Sequence, residues 1–468
     1  MPNKKAATNR WPMVVVANTL PVRRTKDRGK PGWETSPGGL VSALKPIVER
    51  SHGAWVGWTG TSGREPDPFT HDNITNIPVP ISAAELRGFY QGVCNRTLWP
   101  LYHDAIRQPE YHRHWWVHYR TVNERFADAA ARAVAPGGLV WIHDYHLHLV
   151  PAMLRKLRAD VRIGFFLHIP FPPEELFTRL PWRREILEGT LGADVVGFQT
   201  KAGAHNFTRL AQRHAGARGR GPKLQFAGRS VQVSAFPISI DFEKYDSVAR
   251  HPAVINHADQ LRQNLGSGRK IILGVDRLDY TKGIEVRVKA FGDLLAKELQ
   301  TINDTVFVQV AVPSRERIEQ YQELRSTVEE LVGQINGRFG EVGVAPVHYL
   351  RRNLPFEELI AMYRAADVML VTPYCDGMNL VAKEYVATRF DNSGVLILSE
   401  FAGAAPELHH AMLVNPHDVD GIAEAMQRGL AMSTKDAKKN MRAMRRVVKR
   451  HTVHDWANAF MKALRSKG

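Results

Sequence analysis

Short apolar runs that end in polar residues recur along this chain, and helical spacing separates them. LVWIHD at 139–144, IGFFLH at 163–168 and VVGF at 195–198 follow one another, divided by helical patterns over 151–158 and 182–191. Uninterrupted apolar runs of this length read as strands buried on both faces. Strands that alternate with helices require a parallel sheet covered on both sides. Similar runs stand at 14–18, 54–58 and 231–238. After a polar stretch from Asp241 to about Asn264 the alternation restarts, with strands predicted at 271–275, 306–312, 347–350, 368–371, 395–398 and 412–414. The sequence therefore predicts an α/β protein of two Rossmann-like, doubly wound domains facing across a cleft. Residues 1–12 read as a loose tail, 13–240 as the first domain, 241–450 as the second and 451–468 as a terminal amphipathic helix. In parallel sheets ligands collect outside the carboxyl ends of the strands, which is where Asp144 and His168 fall.

Composition narrows the function. The apolar share of 44% and ten tryptophans are enough for two cores, so disorder is not the default. No run of about 18 apolar residues occurs, which argues against a membrane span. The opening MPNKKAATNRW lacks the apolar stretch of a secretory signal. Two cysteines, Cys94 and Cys375, cannot build a disulfide framework and suit a reducing cytoplasm. The net charge of +16 leaves nucleic acid, an anionic surface or acidic small molecules as partners. Much of it is local to KDAKKNMRAMRRVVKR at 435–450, where Met441, Met444 and Val448 would turn inward and the cations outward. No aromatics interleave there to stack on bases, so nucleic acid is not the expected partner, and without an apolar span neither is a membrane.

Three stretches carry candidate chemistry. Asp376-Gly377-Met378-Asn379-Leu380-Val381-Ala382-Lys383-Glu384 follows the strand at 368–371. A strand, a tight turn and a helix start put several free N–H groups at one point, which suits a phosphate. Glu384, one turn further in, could accept hydrogen bonds from a ribose diol. Arg277-Leu278-Asp279-Tyr280-Thr281-Lys282-Gly283 follows the strand at 271–275, and its two cations would face the same ligand. The alternative is a surface pair of Arg277 with Asp279. Arg315, after the strand at 306–312, adds a third cation. Ser36-Pro37-Gly38-Gly39-Leu40 opens a helix patterned on Leu40, Leu44 and Ile47, and its glycines would let the backbone approach a ligand. His143-Asp144-Tyr145-His146-Leu147-His148 resembles a metal cluster but has no second ligand group near in sequence. A core position accounts for His148, and helix capping accounts for Asp418-Val419-Asp420. There is no G-x-G-x-x-G for nicotinamide and no G-x-S-x-G nucleophile. A cationic site of this kind favours transfer from an activated phosphate ester, with the protein stabilising a departing diphosphate.

SPGGL, NRTLWPLYH, WIHDYHL, GFFLHIPFP, GVDRLDYTKG, PSRER, INGRFGEVG and DGMNLVAKEYVA together resemble the retaining trehalose-6-phosphate synthases. The resemblance implies a GT-B glycosyltransferase fold, with the last helix crossing back onto the first domain. It implies no metal or other cofactor, and transfer of glucose from a nucleotide-glucose donor to glucose 6-phosphate. The first domain would then bind the acceptor and the second the donor. By position, the donor diphosphate would meet Gly38, Gly39, Arg277, Lys282, Leu380 and Val381. Asp376 with Gly377, Met378 and Asn379 would hold the transferred glucose, and His168 would contact the same sugar. Glu384 would bind the ribose, and the backbone near Leu354 the base. Tyr90, Trp99, Asp144 and Arg315 match the acceptor residues, and Trp99 and Ile169 the positions that select the alpha anomer. Asp144, His168, Arg277, Lys282 and Asp376 form the implied catalytic set, and the leaving phosphate itself takes the acceptor proton.

Two departures stand out. The family's first strand usually ends Asn-Arg, with the arginine on the acceptor phosphate; here Thr19 follows Asn18. The family often has Leu-Arg before Asp-Gly, whereas this chain has Tyr374-Cys375. Glucose 6-phosphate is expected to remain the acceptor through Arg315 and one of Arg23 and Arg24. The alternatives are a synthase with another sugar- or polyol-phosphate acceptor, such as a glucosylglycerol-phosphate synthase, and a regulatory homologue that binds sugar nucleotides without turnover. The nucleobase, assembly into a homo-oligomer and the regulators stay open.

Overall fold

The computed structural model describes residues 10–27, 30–36, 39–316 and 318–466. They form two compact units. One runs to Pro237 and includes the chain from His454 onward; the other is Ile238–Val453.

The first unit is built on a nine-stranded sheet. Its strands run Lys223–Phe226, Arg229–Ala235, Val195–Phe198, Arg162–Phe166, Val134–His143, Trp11–Thr19, Ala54–Trp58, Ile74–Pro78 and Phe69–His71 across the sheet. Only the two outer pairs are antiparallel. Beginning at the strand Trp11–Thr19, the chain adds strands first to one side and then to the other. The direction of winding therefore reverses between Trp11–Thr19 and Val134–His143. The second unit repeats this arrangement in a six-stranded, all-parallel sheet. Its order is Val347–Leu350, Thr305–Val312, Lys270–Arg277, Val368–Val371, Val395–Ser399 and Met412–Val414, with the reversal between Lys270–Arg277 and Val368–Val371. A reversal opens a crevice at the carboxyl ends of two neighbouring strands, because the following connections leave on opposite faces.

The helix Val453–Arg465 packs on the first sheet. The Phe460 ring stacks on Trp141 at 4.6 Å, and Trp456 meets Trp141 and Phe166, each at 5.2 Å. Gly164 and Gly197 make room for it. A Cβ on either would lie 2.7 or 2.8 Å from the Phe460 ring, closer than real Cβ contacts come.

Several segments differ from the sequence expectation. A hairpin that the apolar pattern does not announce pairs Val22–Asp27 with Lys30–Thr35, in register so that Arg23 opposes Glu34 and Arg24 opposes Trp33. An ion pair and a cation–π contact at 5.5 Å then join those partners across the strands. The polar stretch after Asp241 is two helices, Phe242–Ala249 and Pro252–Asn264. The helix Arg113–Ala133 was not anticipated; it buries Trp116, Tyr119, Val122 and Phe126 at helical spacing. In the helix opened by the glycine pair, the observed Gly39–Arg50, Val41, Leu44 and Val48 are buried and Ile47 is half-buried. A helical stretch runs from Ala83 to Tyr102 and is π-helical over Leu86–Leu98, the Trp99 N–H bonding back five residues to the Cys94 carbonyl. A π-turn of this length is rare, and such turns gather at functional sites. No helix among the described residues is long and apolar enough to cross a membrane.

Candidate active site

At the first reversal, Thr19 ends one strand and Asp144 follows the other. Asp144 has φ 74°, a conformation costly for a residue with a side chain. Its N–H donates to the Phe166 carbonyl at 2.8 Å, and its Oδ1 accepts from the His168 N–H at 3.3 Å. These bonds tie the end of Val134–His143 to the end of Arg162–Phe166. His168 Nε2 lies 3.1 Å from His143 Nδ1, and its Nδ1 lies 3.5 Å from the Gln199 amide. Burial pushes the His168 imidazole down to about 3, so it is neutral at ordinary pH and serves as a hydrogen-bond partner rather than a cation. Burial, with the His168 neighbour, holds His143 well below its usual value. Tyr90, on the π-turn, stacks over His146 at 6.1 Å, and Trp99 lies 5.7 Å from Tyr145. Tyr90, Trp99, Asp144, His168 and Ile169 therefore gather around the turn at 144–146. Asn95, fully buried, locks the π-turn to it by donating to the Tyr90 carbonyl at 2.7 Å and accepting from the Tyr145 hydroxyl at 3.3 Å.

Thr19 is exposed, and its carbonyl accepts from the Trp55 indole at 3.0 Å. The arginines expected to stand in for the family's cation are engaged elsewhere, Arg23 with Glu34 and Arg24 over Trp33, within the hairpin.

At the second reversal, Arg277 is the exposed last residue of its strand. The turn Tyr280–Lys282 follows, held by Asp279, whose Oδ1 accepts from the Thr281 N–H and hydroxyl, both at 3.0 Å. Lys282 Nζ lies 2.5 Å from Asp376 Oδ2, which also accepts from the Asn379 amide at 3.1 Å. Asn379, at φ 71°, opens the helix Leu380–Thr388, so the N–H groups of Leu380 and Val381 sit in a first turn without intrahelical acceptors. The segment 376–378 rests on a second turn: the Gly403 N–H donates to the Asp376 carbonyl at 3.1 Å and the Ala404 N–H to the Met378 carbonyl at 2.9 Å. Gly377 lies between them. Glu384 accepts from the Tyr363 hydroxyl at 3.0 Å. Burial pushes its carboxyl up, against the pull of the Tyr245 and Tyr363 hydroxyls and the Lys244 charge. Leu354 is buried just ahead of the helix Phe356–Ala365.

Arg315 has φ 49° and points its guanidinium at the Tyr321 hydroxyl and at Asp279 Oδ2, 3.3 Å away. Asp279 is fully buried, whereas Arg277 is exposed. Burial alone would raise its carboxyl, but the charges of Arg315, Arg277 and Lys282 outweigh this and hold it at about 2.

Gly38 lies outside the described residues, and Gly39 is the first residue of its helix. His148 is a core residue bonded to Tyr102 at 3.1 Å and Thr190 at 2.9 Å, and Asp418 caps the helix Val419–Leu430 through the Gly421 N–H at 2.9 Å. Among the described residues no group of three or more His, Cys, Asp or Glu is placed to hold a metal ion. Sequence reasoning missed Gln199, Tyr363 and Arg287. Only Arg287 left a trace, as a charge on the face that Ile284, Val288 and Phe291 bury.

The model of glycosyltransferase family 20 matches residues 12–466. The chain belongs to that family. As a family 20 glycosyltransferase it has the GT-B fold of its structural neighbours. It is 52% identical to the trehalose-6-phosphate synthase of Mycobacterium avium over 480 aligned positions, covering 100% of this chain and 98% of that one. The E. coli trehalose-6-phosphate structure bound with UDP-2-fluoro glucose matches with a TM-score of 0.90 at 34% identity, over 97% of this chain and 99% of that one. The UDP-forming α,α-trehalose-phosphate synthase of Burkholderia xenovorans, solved with glucose 6-phosphate, matches with a TM-score of 0.88 at 33% identity, over 97% and 100%.

Proposed function

We propose that this family 20 enzyme transfers glucose, with retention, from a nucleotide-glucose donor such as UDP-glucose to glucose 6-phosphate, giving α,α-trehalose 6-phosphate. The observation that carries the reading is the cluster at the second reversal: Arg277, Lys282 and the helix start at Leu380 and Val381, with Asp376 between them. A departing diphosphate gains most from fixed cations and N–H dipoles that need no rearrangement as charge develops. In this reading Arg277 and Lys282 receive the diphosphate, Asp376 with 377–379 orients the glucose and Glu384 takes the ribose hydroxyls. Neutral His168 donates to or accepts from the sugar. Asp144 and Arg315 face the acceptor, and the leaving phosphate takes the acceptor proton. In this reading the reaction proceeds without a metal and takes place in the cytoplasm.

One observation favours a second reading. With Thr19 in place of an arginine, and Arg23 and Arg24 held in the hairpin, the acceptor phosphate meets less charge than the family pattern supplies. Another sugar or polyol phosphate would then be the acceptor. Incubating the protein with each of several glucose nucleotides and with glucose 6-phosphate or glycerol 3-phosphate, then identifying the product by NMR, tests both readings. Nucleotide release only with glucose 6-phosphate supports the first. Release only with another acceptor supports the second, and no release with any pair overturns both.

A further inference from the structure

The helix Ile284–Ala296 turns an arginine into the interior. Arg287 is 0% exposed, and its guanidinium reaches three separate segments. Nη1 donates to Asp276 Oδ2 at 2.6 Å and to the Leu370 carbonyl at 3.1 Å, while Nη2 donates to the Lys282 carbonyl at 2.5 Å. Each segment leads directly to a group of the candidate site. Asp276 precedes Arg277, Lys282 is itself one of the cations, and Leu370 lies on the strand that delivers Asp376. Both Nη atoms are bonded while the buried Nε has no hydrogen-bond partner among the described residues, and a planar fork with fixed donors suits three acceptors held in a rigid arrangement. The sheet also leaves space for it. A Cβ at Gly274 would lie 2.9 Å from Arg287 Nη1 and 2.4 Å from Gln309 Oε1.

We infer that Arg287 is a positioning residue for the donor diphosphate: it touches no substrate, but its fork fixes the backbone from which Arg277, Lys282 and Asp376 are presented. The inference rests on the donor site proposed above. It gives Arg287 a role that a core ion pair would not have. Loosening the fork should weaken recognition of a diphosphate far more than recognition of the nucleoside that carries it, because the ribose group Glu384 stands on a helix the fork does not reach.

The test compares Arg287→Lys, Gly274→Ala, which crowds the fork with every charge kept, and the double variant Arg287→Met/Asp276→Leu, which removes both buried charges together. Circular dichroism and thermal melts report folding, calorimetry gives affinities for UDP and for uridine, and steady-state kinetics give kcat and KM with the product-forming acceptor. For variants that fold, the expected result is a fall of ten-fold or more in UDP affinity, uridine affinity within two-fold of the parent, and a drop in kcat. Folded variants that keep the parent's preference for UDP over uridine would overturn the inference. So would the failure of all three to fold, since the pair would then be a folding element alone. If the parent protein binds neither UDP nor any other nucleoside diphosphate, the donor-site reading itself falls, a result separable from the variants' behaviour.

Discussion

Lys282 and Asp376 stand 94 residues apart in sequence, yet Nζ and Oδ2 are 2.5 Å apart, with both side chains nearly buried. This pair closes the second reversal, since one partner follows the strand Lys270–Arg277 and the other follows Val368–Val371. A lysine held by one carboxylate has two further N–H donors for a phosphate. In the proposed donor site, Asp376 would keep the ammonium in place until the ligand arrives.

Lys282→Ala and Arg277→Ala are expected to lower turnover more than stability. Losing one charge-assisted contact costs about 1.5–3 kcal/mol, or about ten- to a hundred-fold and more, and the loss grows where the contact tightens as the diphosphate leaves. Initial rates at saturating substrates measure this. Two variants with near-parental kcat would remove the cluster from the active site.

Thr19→Arg should improve acceptor binding. The fork it introduces is permanently charged and able to grip a phosphate through two donors, whereas Arg23 is paired with Glu34 and Arg24 lies over Trp33 in the hairpin. An acceptor KM lower by ten-fold or more is the expected outcome for glucose 6-phosphate. An unchanged KM, with activity lost instead in Arg23→Ala/Arg24→Ala, would show that the hairpin arginines already serve the phosphate.

Activity should survive EDTA. The charge that a metal would neutralise is assigned to Arg277, Lys282 and the helix start, so turnover after dialysis against chelator should match the untreated enzyme. Loss of turnover, restored by one divalent ion, would reopen the reading of the histidines at 143 and 146.

Acid should destabilise the first unit before it protonates most carboxylates. His148 and His168 are held down to about 3 by burial, whereas an unfolded chain binds their protons near 6.5. Below about pH 6.5 the unfolded state carries more protons, so stability falls as pH drops toward 3 and is level, for these groups, above 6.5. The slope is about 1.4 kcal/mol per pH unit for each histidine. Urea midpoints at pH 7, 5.5 and 4.5 give the slope, and His148→Gln should remove one proton's worth of it. A variant with the parental slope would mean that His148 does not contribute.

Much of the fold could be read from residue pattern. Apolar runs of four to six residues, such as Val368–Val371, have one buried solution, and their alternation with helices dictates a parallel sheet. The hairpin was missed because its strands pair charged residues across the ladder rather than alternating apolar with polar. The two helices after Asp241 were missed because only Phe242, Ala249, Val254 and Ala258 are buried, which leaves little periodic signal. At the site, motif and turn chemistry located Arg277, Lys282, Asp376 and Asn379. No local pattern could show that Arg315 is bonded to Asp279 and Tyr321, or that His168 is neutral, because both follow from burial among residues distant in sequence. Asp144, Arg315 and Asn379 all take positive φ without being glycine. Three candidate residues in costly conformations mark places where the surrounding structure overrides local preference.

The return of the helix Val453–Arg465 to the first sheet makes the order of synthesis matter. The strands Arg162–Phe166 and Val195–Phe198 leave the ribosome early, but the Phe460 ring that occupies the hollow over Gly164 and Gly197 is made only after the entire second unit. The first unit therefore completes its core last, although its sequence comes first. In the interval Trp141 and Phe166 lack the Trp456 and Phe460 rings and expose an apolar surface on which a chaperone could bind.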